Sequence, residues 1–319
     1  MDKFSTIITR SPLLNSRIRH AKLVAETDMT VLLKGDTGTG KEIFAHAIQQ
    51  SSKRADAIFL KLNCAALPEN LIESELFGHK KGSFTDATNN TCGLLKSADG
   101  GTLFLDEINS LPSSIQSKLL HFLDSGEFLP IGEVSPQKVD VRIIAATNID
   151  LTSLITAKTF RADLYFRLNA FPIELPSLID REEDVVPLIH YFFRVFEKNH
   201  SAKAPTFSKQ SIEILKNYAW PGNIRELRNV CERFSVLFSD TTIEAEHLPN
   251  ELKTNVRQST TQHFTLPETG IKLDELEANL IYQALHRTQG NYTKSAKLLG
   301  ISRNTLMYRI QKHGFETKF

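Results

Sequence analysis

Residues 31–48 read VLLKGDTGTGKEIFAHAI, in which an apolar run, a glycine-rich turn and a segment of helical character follow one another. Glycines in such a turn allow backbone N–H groups to converge on a phosphate chain, and the amino end of the following helix adds a positive dipole. A glycine-rich turn that precedes a helix by chance is the competing interpretation, but a lysine placed to reach the outer phosphates argues against it. The residues predicted to hold a nucleotide are Gly35, Asp36, Thr37, Gly38, Thr39, Gly40, Lys41 and Glu42.

An acidic segment that follows a second strand is predicted to complete this nucleotide site. Glu42 stands where such loops usually place a serine or threonine for Mg²⁺, so the metal must rely on other ligands. The run GGTLFLDE, residues 100–107, is an apolar strand that ends in two acids. We expect Asp106 to hold magnesium through water and Glu107 to orient or deprotonate the attacking water. An acidic pair alone is common on surfaces, but together with the phosphate loop it predicts ATP hydrolysis.

Short apolar runs alternate with helix-like stretches up to about residue 176. Runs at 31–33, 58–60, 103–105 and 141–145 are too short for helices and predict buried strands. Helical segments between them imply parallel strands with crossover connections, hence a three-layer α/β fold. Beyond about residue 184 helical periodicity alone remains, which predicts a smaller all-α domain.

Composition indicates a globular protein outside the membrane. The 319 residues are 41% hydrophobic and 24% charged, ordinary values for about two domains. The sequence contains neither an apolar run of ~20 residues nor an amino-terminal signal pattern. Three widely spaced cysteines, Cys64, Cys92 and Cys231, are expected to be reduced thiols. We therefore expect a cytoplasmic location.

The carboxyl end of the chain is basic although the whole chain has a net charge of only +1. Residues 291–319 contain six lysine and arginine residues against one acid, Glu316, a net of +5. Apolar residues from Leu273 to Leu285 recur at helical spacing, and Gly290 fits a helix stop. Thr293 is expected to cap a second helix and Ser302 a third. Two short helices joined by a turn at Gly300 predict a helix-turn-helix. The alternative is a purely structural three-helix cap, which would not require the basic charge of this segment.

In the third helix we expect Leu306 and Ile310 to point inward. Side chains near its amino end can reach base edges, and those further along meet phosphates. The predicted DNA-binding residues are Lys294, Arg303, Asn304, Thr305, Tyr308, Arg309 and Lys312.

Taken together, the motifs resemble the AAA+ domain of bacterial enhancer-binding proteins, the NtrC-like activators of sigma-54 RNA polymerase. The resemblance covers nearly the whole chain, and the last segment resembles the Fis-type domain of the same family. The matching runs are GDTGTGKE from Gly35, LNCAALPENLIESELFGHKKGSF from Leu62, GGTLFLDEI from Gly100, VRIIAATN from Val141, FRADLYFRLN from Phe160 and YAWPGNIRELRN from Tyr218.

The resemblance implies a ring, usually a hexamer, with ATP bound between subunits, and a Fis-type dimer on double-stranded DNA with two half-sites. The strand, helix and polar patterns along the chain predict four parts: an α/β ATPase subdomain at 1–176, a helical lid at 177–252, a polar linker at 253–270 and a helix-turn-helix domain at 271–319.

The same resemblance implies roles for further residues. Asn63 matches the switch asparagine that holds the catalytic glutamate, although it could be a simple turn residue. Asn148 matches the first sensor, and Arg225 the second sensor in the lid. Trp220, in the same lid motif as Arg225, is expected to lie in the core rather than on a binding surface. Arg161 and Arg167 match arginines offered across the subunit interface, where a guanidinium neutralises phosphate charge. Either could instead be a surface ion-pair residue, and the functional role is favoured more for Arg167.

The sequence departs from the family at two places. Members usually read GAFTGA in the loop that contacts sigma-54, and here the loop reads Gly82, Ser83, Phe84, Thr85, Asp86 and Ala87. Aspartate at 86 adds a side chain and a charge where glycine would allow a positive φ. At residues 178–181 the run LIDR replaces the usual LRER, which puts in doubt a polar contact at the base of the lid.

Two functions are therefore expected from the sequence. The leading one is an enhancer-bound ATPase that remodels a closed sigma-54 polymerase complex. The alternative is a DNA-binding repressor in which the AAA+ ring controls oligomerisation and the loop with Asp86 no longer touches sigma-54. Because the sequence begins almost directly with the AAA+ motifs, we expect no receiver domain in front of it. Control is then expected from a separate regulatory protein, a small molecule, expression level, or not at all.

Overall fold

The computed structural model describes residues 3–83, 89–200, 203–254, 272–288 and 290–313. The chain divides into two compact units, Met1–Arg257 and Gln258–Phe319. Beyond Thr254, the predicted linker lies outside the described residues. None of the helices in the described ranges has the length and apolar content that crossing a bilayer requires.

The first unit combines a parallel sheet with helices. Its strands are β1 Val31–Lys34, β2 Phe59–Asn63, β3 Gly78–His79, β4 Thr91–Cys92, β5 Thr102–Asp106, β6 Glu127–Phe128, β7 Gln137–Lys138, β8 Arg142–Thr147, β9 Phe171–Glu174, β10 Thr206–Phe207 and β11 Thr242–Ile243. Its α-helices are α1 Pro12–Ala25, α2 Lys41–Gln50, α3 Glu69–Phe77, α4 Leu94–Ser97, α5 Ser113–Ser125, α6 Leu151–Thr156, α7 Ala162–Leu168, α8 Val185–His200, α9 Lys209–Asn217, α10 Asn223–Leu237 and α11 Asn250–Thr254. Four 3₁₀ helices span Lys3–Thr6, Ile108–Ser110, Leu178–Asp184 and Ala245–His247.

The central sheet has five parallel strands in the order β2-β5-β8-β1-β9. All four predicted strands are present, which confirms the α/β fold. The fifth, β9, was not predicted because Pro172 interrupts its short apolar pattern. Proline lacks the N–H that a central strand donates, and β9 accommodates it because it is an edge strand that pairs only with β1.

Alternate side chains of each strand enter two separate cores, as the period of two requires. Leu32 packs into the core that includes residues of α3, α4, α5 and α7. Val31 and Leu33 pack into the core that includes residues of α1 and α2. The sheet is therefore the middle of three layers, and the loops that follow its strands are free to form a site.

The lid, built mainly from α8 to α11, has a core of its own. Trp220 lies in it with 1% of its surface exposed, as expected, and its Nε1–H donates to the Leu215 carbonyl at 2.8 Å. The lid also contains a small parallel pair of strands, β10 with β11, where only helices were predicted. Two residues per strand are too few to produce a recognisable alternation in the sequence.

The described part of the second unit contains three helices, α12 Leu273–Arg287, α13 Tyr292–Leu298 and α14 Arg303–Lys312. Ser302 caps α14 as predicted, accepting from the Thr305 N–H. The prediction that Thr293 caps α13 is wrong, because Asn291 does so by accepting from Lys294. Both residue types cap helices well, and Asn291 directly follows the turn at Gly290, whose φ is +78°.

The core of this unit contains fewer α12 leucines than the pattern suggested. Ile281 and Leu285 pack against Leu306 and Ile310. The inward position of Leu306 and Ile310 confirms the prediction for α14. Two other members of the apolar pattern remain largely outside the core, since Leu273 is 74% and Leu280 46% exposed.

Trp220→Phe should lower the free energy of unfolding of the first unit by about 1–3 kcal/mol, because the Leu215 carbonyl then stays buried without its donor. Urea unfolding followed by far-ultraviolet circular dichroism measures this change. Tyr191→Phe, at a lid ring that is 41% exposed, serves as the control. An equal, small loss in both variants would show that the Trp220 bond contributes nothing.

Candidate functional site

The phosphate loop, residues 35–40, joins the carboxyl end of β1 to the amino end of α2. Gly35, Gly38 and Gly40 all have positive φ, at 152°, 81° and 104°. At Gly38 a Cβ would also lie 2.4 Å from the Gly222 carbonyl oxygen of the lid. The glycine is therefore required both by its backbone conformation and by direct contact with the lid.

Lys41 lies inside this loop with 8% of its surface exposed. Its Nζ donates to the carbonyl oxygens of Gly35 at 2.6 Å and Asp36 at 3.0 Å. Burial lowers the pKa of Lys41, and the charges of Asp106 and Glu107 partly offset that effect. The ammonium group is thus held within the loop, in the electrostatic range of both predicted catalytic acids.

Asp106 ends β5, and Glu107 follows it in a left-handed backbone conformation with φ of 54°. The Asp106 carboxylate accepts the Glu107 N–H at 3.0 Å. Glu42 is turned elsewhere, because it forms an exposed 2.7 Å ion pair with Lys61 of β2. Among the described residues of this unit, no cluster of three protein ligands surrounds the loop. The carboxylates of Asp106 and Glu107 fit Mg²⁺, which commonly takes one or two carboxylates together with phosphate oxygens and water.

The two predicted asparagines lie at the ends of β2 and β8, the strands on either side of β5, and make different contacts. Asn148, which follows β8, donates from Nδ2 to the Thr37 hydroxyl at 3.2 Å, so it lies on the phosphate loop. Its Oδ1 is buried and has no hydrogen-bond partner among the described residues. Asn63 accepts the Ala65 N–H at 2.8 Å, which is the contact of a turn residue. Its role as a switch for Glu107 stays a prediction.

The lid lies directly on the loop. Arg225 is in the first turn of α10, and its Cβ would be 3.1 Å from a Cβ at Gly38. Its positive charge contributes to lowering the pKa of Lys41. This position fits a residue that responds to nucleotide phosphate.

In the second unit, α13 and α14 form the helix-turn-helix, with Gly300 at φ of 65° in the turn. The exposed side of α14 carries Arg303, Asn304, Met307 and Tyr308, the last of which is 69% exposed. Lys294 is exposed at the start of α13. Four of the predicted DNA-binding residues therefore lie on the solvent side of these two helices.

Comparisons with known proteins agree with this architecture. Residues 7–174 match the sigma-54 interaction domain, 179–264 an AAA+ ATPase lid domain, and 272–313 the Fis family of bacterial regulatory proteins. The chain belongs to the sigma-54-dependent transcription activators. Its first unit is thus an AAA+ ATPase domain of the P-loop class, and its second unit carries the family's DNA-binding fold.

Relatives in this family align along nearly all of the chain. It is 42% identical to the nitrogen fixation protein AnfA of Azotobacter vinelandii, covering 99% of this chain and 59% of AnfA. It is 42% identical to the regulatory protein AtoC of Escherichia coli, covering 97% and 68%. The crystal structure of NtrX from Brucella abortus in complex with ATP superposes with a TM-score of 0.71 at 30% identity, covering 97% of this chain and 69% of NtrX. The chain thus spans about three fifths of AnfA and just over two thirds of AtoC and NtrX.

The two arginines predicted to act across the subunit interface each pair with an acid of their own chain. Arg161 forms a two-pronged ion pair with Asp163, at 3.0 and 2.7 Å. Arg167 donates to the Leu123 carbonyl and pairs with Asp124 at 3.1 Å. The cleft that Arg167 lines is also lined by residues immediately before β1, β8 and β9. It therefore lies at the amino edge of the sheet, whereas the phosphate loop lies at the carboxyl edge.

The sigma-54 loop emerges from a short hairpin, β3 with β4. Gly82 and Ser83 begin it, while Phe84, Thr85, Asp86 and Ala87 lie outside the described residues. A Cβ at Gly132, whose φ is 80°, would lie 2.9 Å from the Ser83 Cβ. A second loop thus packs against the base of the first, a contact that no motif in the sequence indicated.

Three predicted DNA-binding residues face other parts of the second unit. Arg309 is paired with Glu277, and Lys312 with Asp274 at 2.9 Å, both acids of α12. The Thr305 hydroxyl lies 2.7 Å from that of Ser302 within the cap. These contacts favour a bracing role, and DNA binding by the three residues stays a prediction.

Cysteine reactivity tests the packing beside the acids. Burial, with the charges of Asp106 and Glu107, raises the pKa of Cys64 to about 12, and burial also raises the pKa of Cys231. Since the thiolate is the reactive form, iodoacetamide at pH 8 should alkylate exposed Cys92 and spare the other two. Peptide mass spectrometry measures this, with urea-unfolded protein as the control. Early alkylation of Cys64 in the folded protein would contradict the packing described.

Proposed function

We propose that this chain is an ATP-driven activator that remodels the closed complex of sigma-54 RNA polymerase while bound to enhancer-like DNA in the bacterial cytoplasm. The observation that carries the proposal is the convergence of Lys41, Asp106 and Asn148 at one edge of the central sheet. This sheet belongs to a domain that matches the sigma-54 interaction domain. A DNA-binding fold in the same chain supplies the tether.

Each residue at the edge has a distinct chemical task. Lys41 would exchange its bonds to loop carbonyls for the outer phosphates of ATP, a small change because it is already positioned there. Asp106 would hold Mg²⁺ through water, and the ion would neutralise charge on the phosphate oxygens. Glu107 would orient and deprotonate the attacking water. The buried Oδ1 of Asn148 is an acceptor that such a water can satisfy.

The position of Arg167 supports catalysis between subunits. A four-residue strand is about 13 Å long, so an arginine at the amino edge of the sheet cannot reach a nucleotide at the carboxyl edge of its own chain. It is half exposed, with a side-chain exposure of 52%, and can be presented to another copy. We propose a ring, a hexamer by resemblance, in which Arg167 and Arg161 are presented to the neighbour's ATP site.

The second unit supports pairing on DNA. Leu273 and Leu280 are exposed and lie seven residues apart, which places them on one side of α12. We propose that this side joins two copies into a dimer that places two α14 helices on successive half-sites. Arg303, Asn304 and Tyr308 would contact the DNA, with Lys294 on phosphate. A separate regulatory protein is a proposed partner for control.

The alternative function rests on Asp86. A carboxylate in the loop adds a charge where the family has glycine, and a loop that no longer engages sigma-54 would leave an ATP-binding repressor. The same assay separates the two functions.

Lys41→Ala and Glu107→Gln should abolish ATP-dependent open complexes formed with sigma-54 holoenzyme on a sigma-54 promoter, while DNA binding persists. Glu107→Gln should lower kcat for ATP hydrolysis by ~10² or more, because the general base is lost. Open complexes formed by both variants would refute the motor. ATP hydrolysis and DNA binding by the unaltered chain without open complexes would indicate the repressor. Asp86→Gly in the same assay would then show whether that residue makes the difference.

Lys294→Ala and Lys312→Ala form a matched pair for the DNA interface. We expect Lys294→Ala to reduce the slope of log Kd against log salt by ~1 on duplex DNA, because one phosphate contact is lost. Lys312→Ala should leave the slope unchanged, because Lys312 is paired with Asp274. Fluorescence anisotropy over a salt series measures both. An equal reduction in Lys312→Ala would mean that its ion pair opens on DNA and that the lysine meets phosphate.

A further inference from the structure

Three successive carbonyl groups of the phosphate loop each accept a hydrogen bond from the lid. Asn223 Nδ2 donates to the Thr37 carbonyl at 3.1 Å, and the Ile224 N–H donates to the Gly38 carbonyl at 3.0 Å. Arg181 Nη2 donates to the Thr39 carbonyl at 3.0 Å. The lid therefore holds Thr37, Gly38 and Thr39 by their backbone carbonyls.

The two side chains that donate these bonds are themselves held in place. Asn223 is 2% exposed, has a φ of 51°, and accepts the Leu178 N–H at 2.7 Å. Arg181 is also 2% exposed, and its charge is compensated by Asp184 at 3.8 Å. Asp184 in turn accepts the Thr9 hydroxyl, which lies just before α1. Both donors are thus fixed parts of the lid.

Peptide geometry carries these contacts to the ligand side of the loop. In a planar trans peptide the carbonyl and the next N–H point in opposite directions. Holding the Thr37 and Thr39 carbonyls toward the lid therefore turns the N–H groups of Gly38 and Gly40 away from it. The N–H of Thr39, in the middle, closes a turn onto the Asp36 carbonyl at 3.4 Å. The N–H groups of Gly38 and Gly40, turned away from the lid, are then oriented to line an anion-binding concavity.

A purely structural role for Asn223 and Arg181 would be to fasten the lid. The contact at Gly38 favours an additional role in shaping the loop. The Gly222 carbonyl of the lid occupies the place that a Cβ at Gly38 would take, so displacement of the lid removes a support of the loop. We propose that Asn223 and Arg181 are positioning residues that orient the N–H groups of the phosphate loop, so that the cradle is complete only with the lid docked. The proposal rests on nucleotide binding, as proposed above. By reciprocity, bound nucleotide stabilises the docked lid to the same extent.

Asn223→Gly in the full chain tests the proposal, because glycine tolerates the positive φ and removes only the side chain. We expect about tenfold weaker binding of a fluorescent mant-ADP, corresponding to the lost hydrogen bond to the Thr37 carbonyl, since the bond from the Leu178 N–H that is lost with it lies within the lid. The KM for ATP should rise by a similar factor with kcat little changed, since the phosphates are bound alike in ground and transition states. Trp220→Phe is the control, because it removes a lid hydrogen bond and leaves the three loop contacts in place.

Arg181→Lys is the second variant, since it keeps the buried charge beside Asp184 but has a shorter reach to Thr39. It should weaken mant-ADP in the same direction. Unchanged affinity in Asn223→Gly, or losses that match Trp220→Phe once scaled to melting temperature, would overturn the positioning role alone. Failure of the unaltered chain to bind mant-ADP would overturn the proposed function and this role with it.

Discussion

All five strands of the central sheet run in one direction, and this parallel pairing determines where every residue of the ATPase site can be. In register, Lys34 of β1 lies opposite Thr147 of β8, and Leu105 of β5 lies opposite Ala145. The segments that follow β1, β5 and β8 are therefore delivered to the same edge, the position at which open α/β sheets bind ligands. The parallel strands therefore bring residues that are far apart in the sequence to one place, where Asn148 contacts Thr37 of the phosphate loop.

Bringing these groups together has an electrostatic cost that the site itself limits. Burial destabilises the charged form of Lys41, and two nearby carboxylates and two loop carbonyls offset this. The backbone at Glu107 is left-handed, an unfavourable conformation for a non-glycine residue that surrounding structure must maintain. Both features lie where β5 and the phosphate loop end, so packing of the sheet and its two cores holds the reactive groups in place.

Sequence alone predicted what depends on local chemistry or on a recurring pattern. The strands beside the site, the glycine turn and the buried Trp220 followed from apolar runs and residue type. The donors to the loop carbonyls did not, although Asn223 and Arg181 stand in motifs that were noted. Their contacts join segments far apart in the chain, and an asparagine or arginine has the same letter whether it faces water or a backbone carbonyl. Arg181, which the run at residues 178–181 retains, makes its polar contact at the base of the lid in the same way, to the Thr39 carbonyl.

Charge in the second unit shows the same limit. A net of +5 over residues 291–319 predicted a basic surface, yet α12 places acids against two of those cations. Asp274 and Glu277 lie before the counted segment and meet it only after the helices pack. His313 adds a second contact to Glu277, and ligand atoms of Asp274, Glu277 and His313 lie within 4.8 Å of one another. A metal ion there would have to displace Lys312 and Arg309, so an ion-pair brace describes the cluster better. The basic face that remains, with Lys294 and Arg303, is smaller than the sequence suggested and lies on the outer side of the helix-turn-helix.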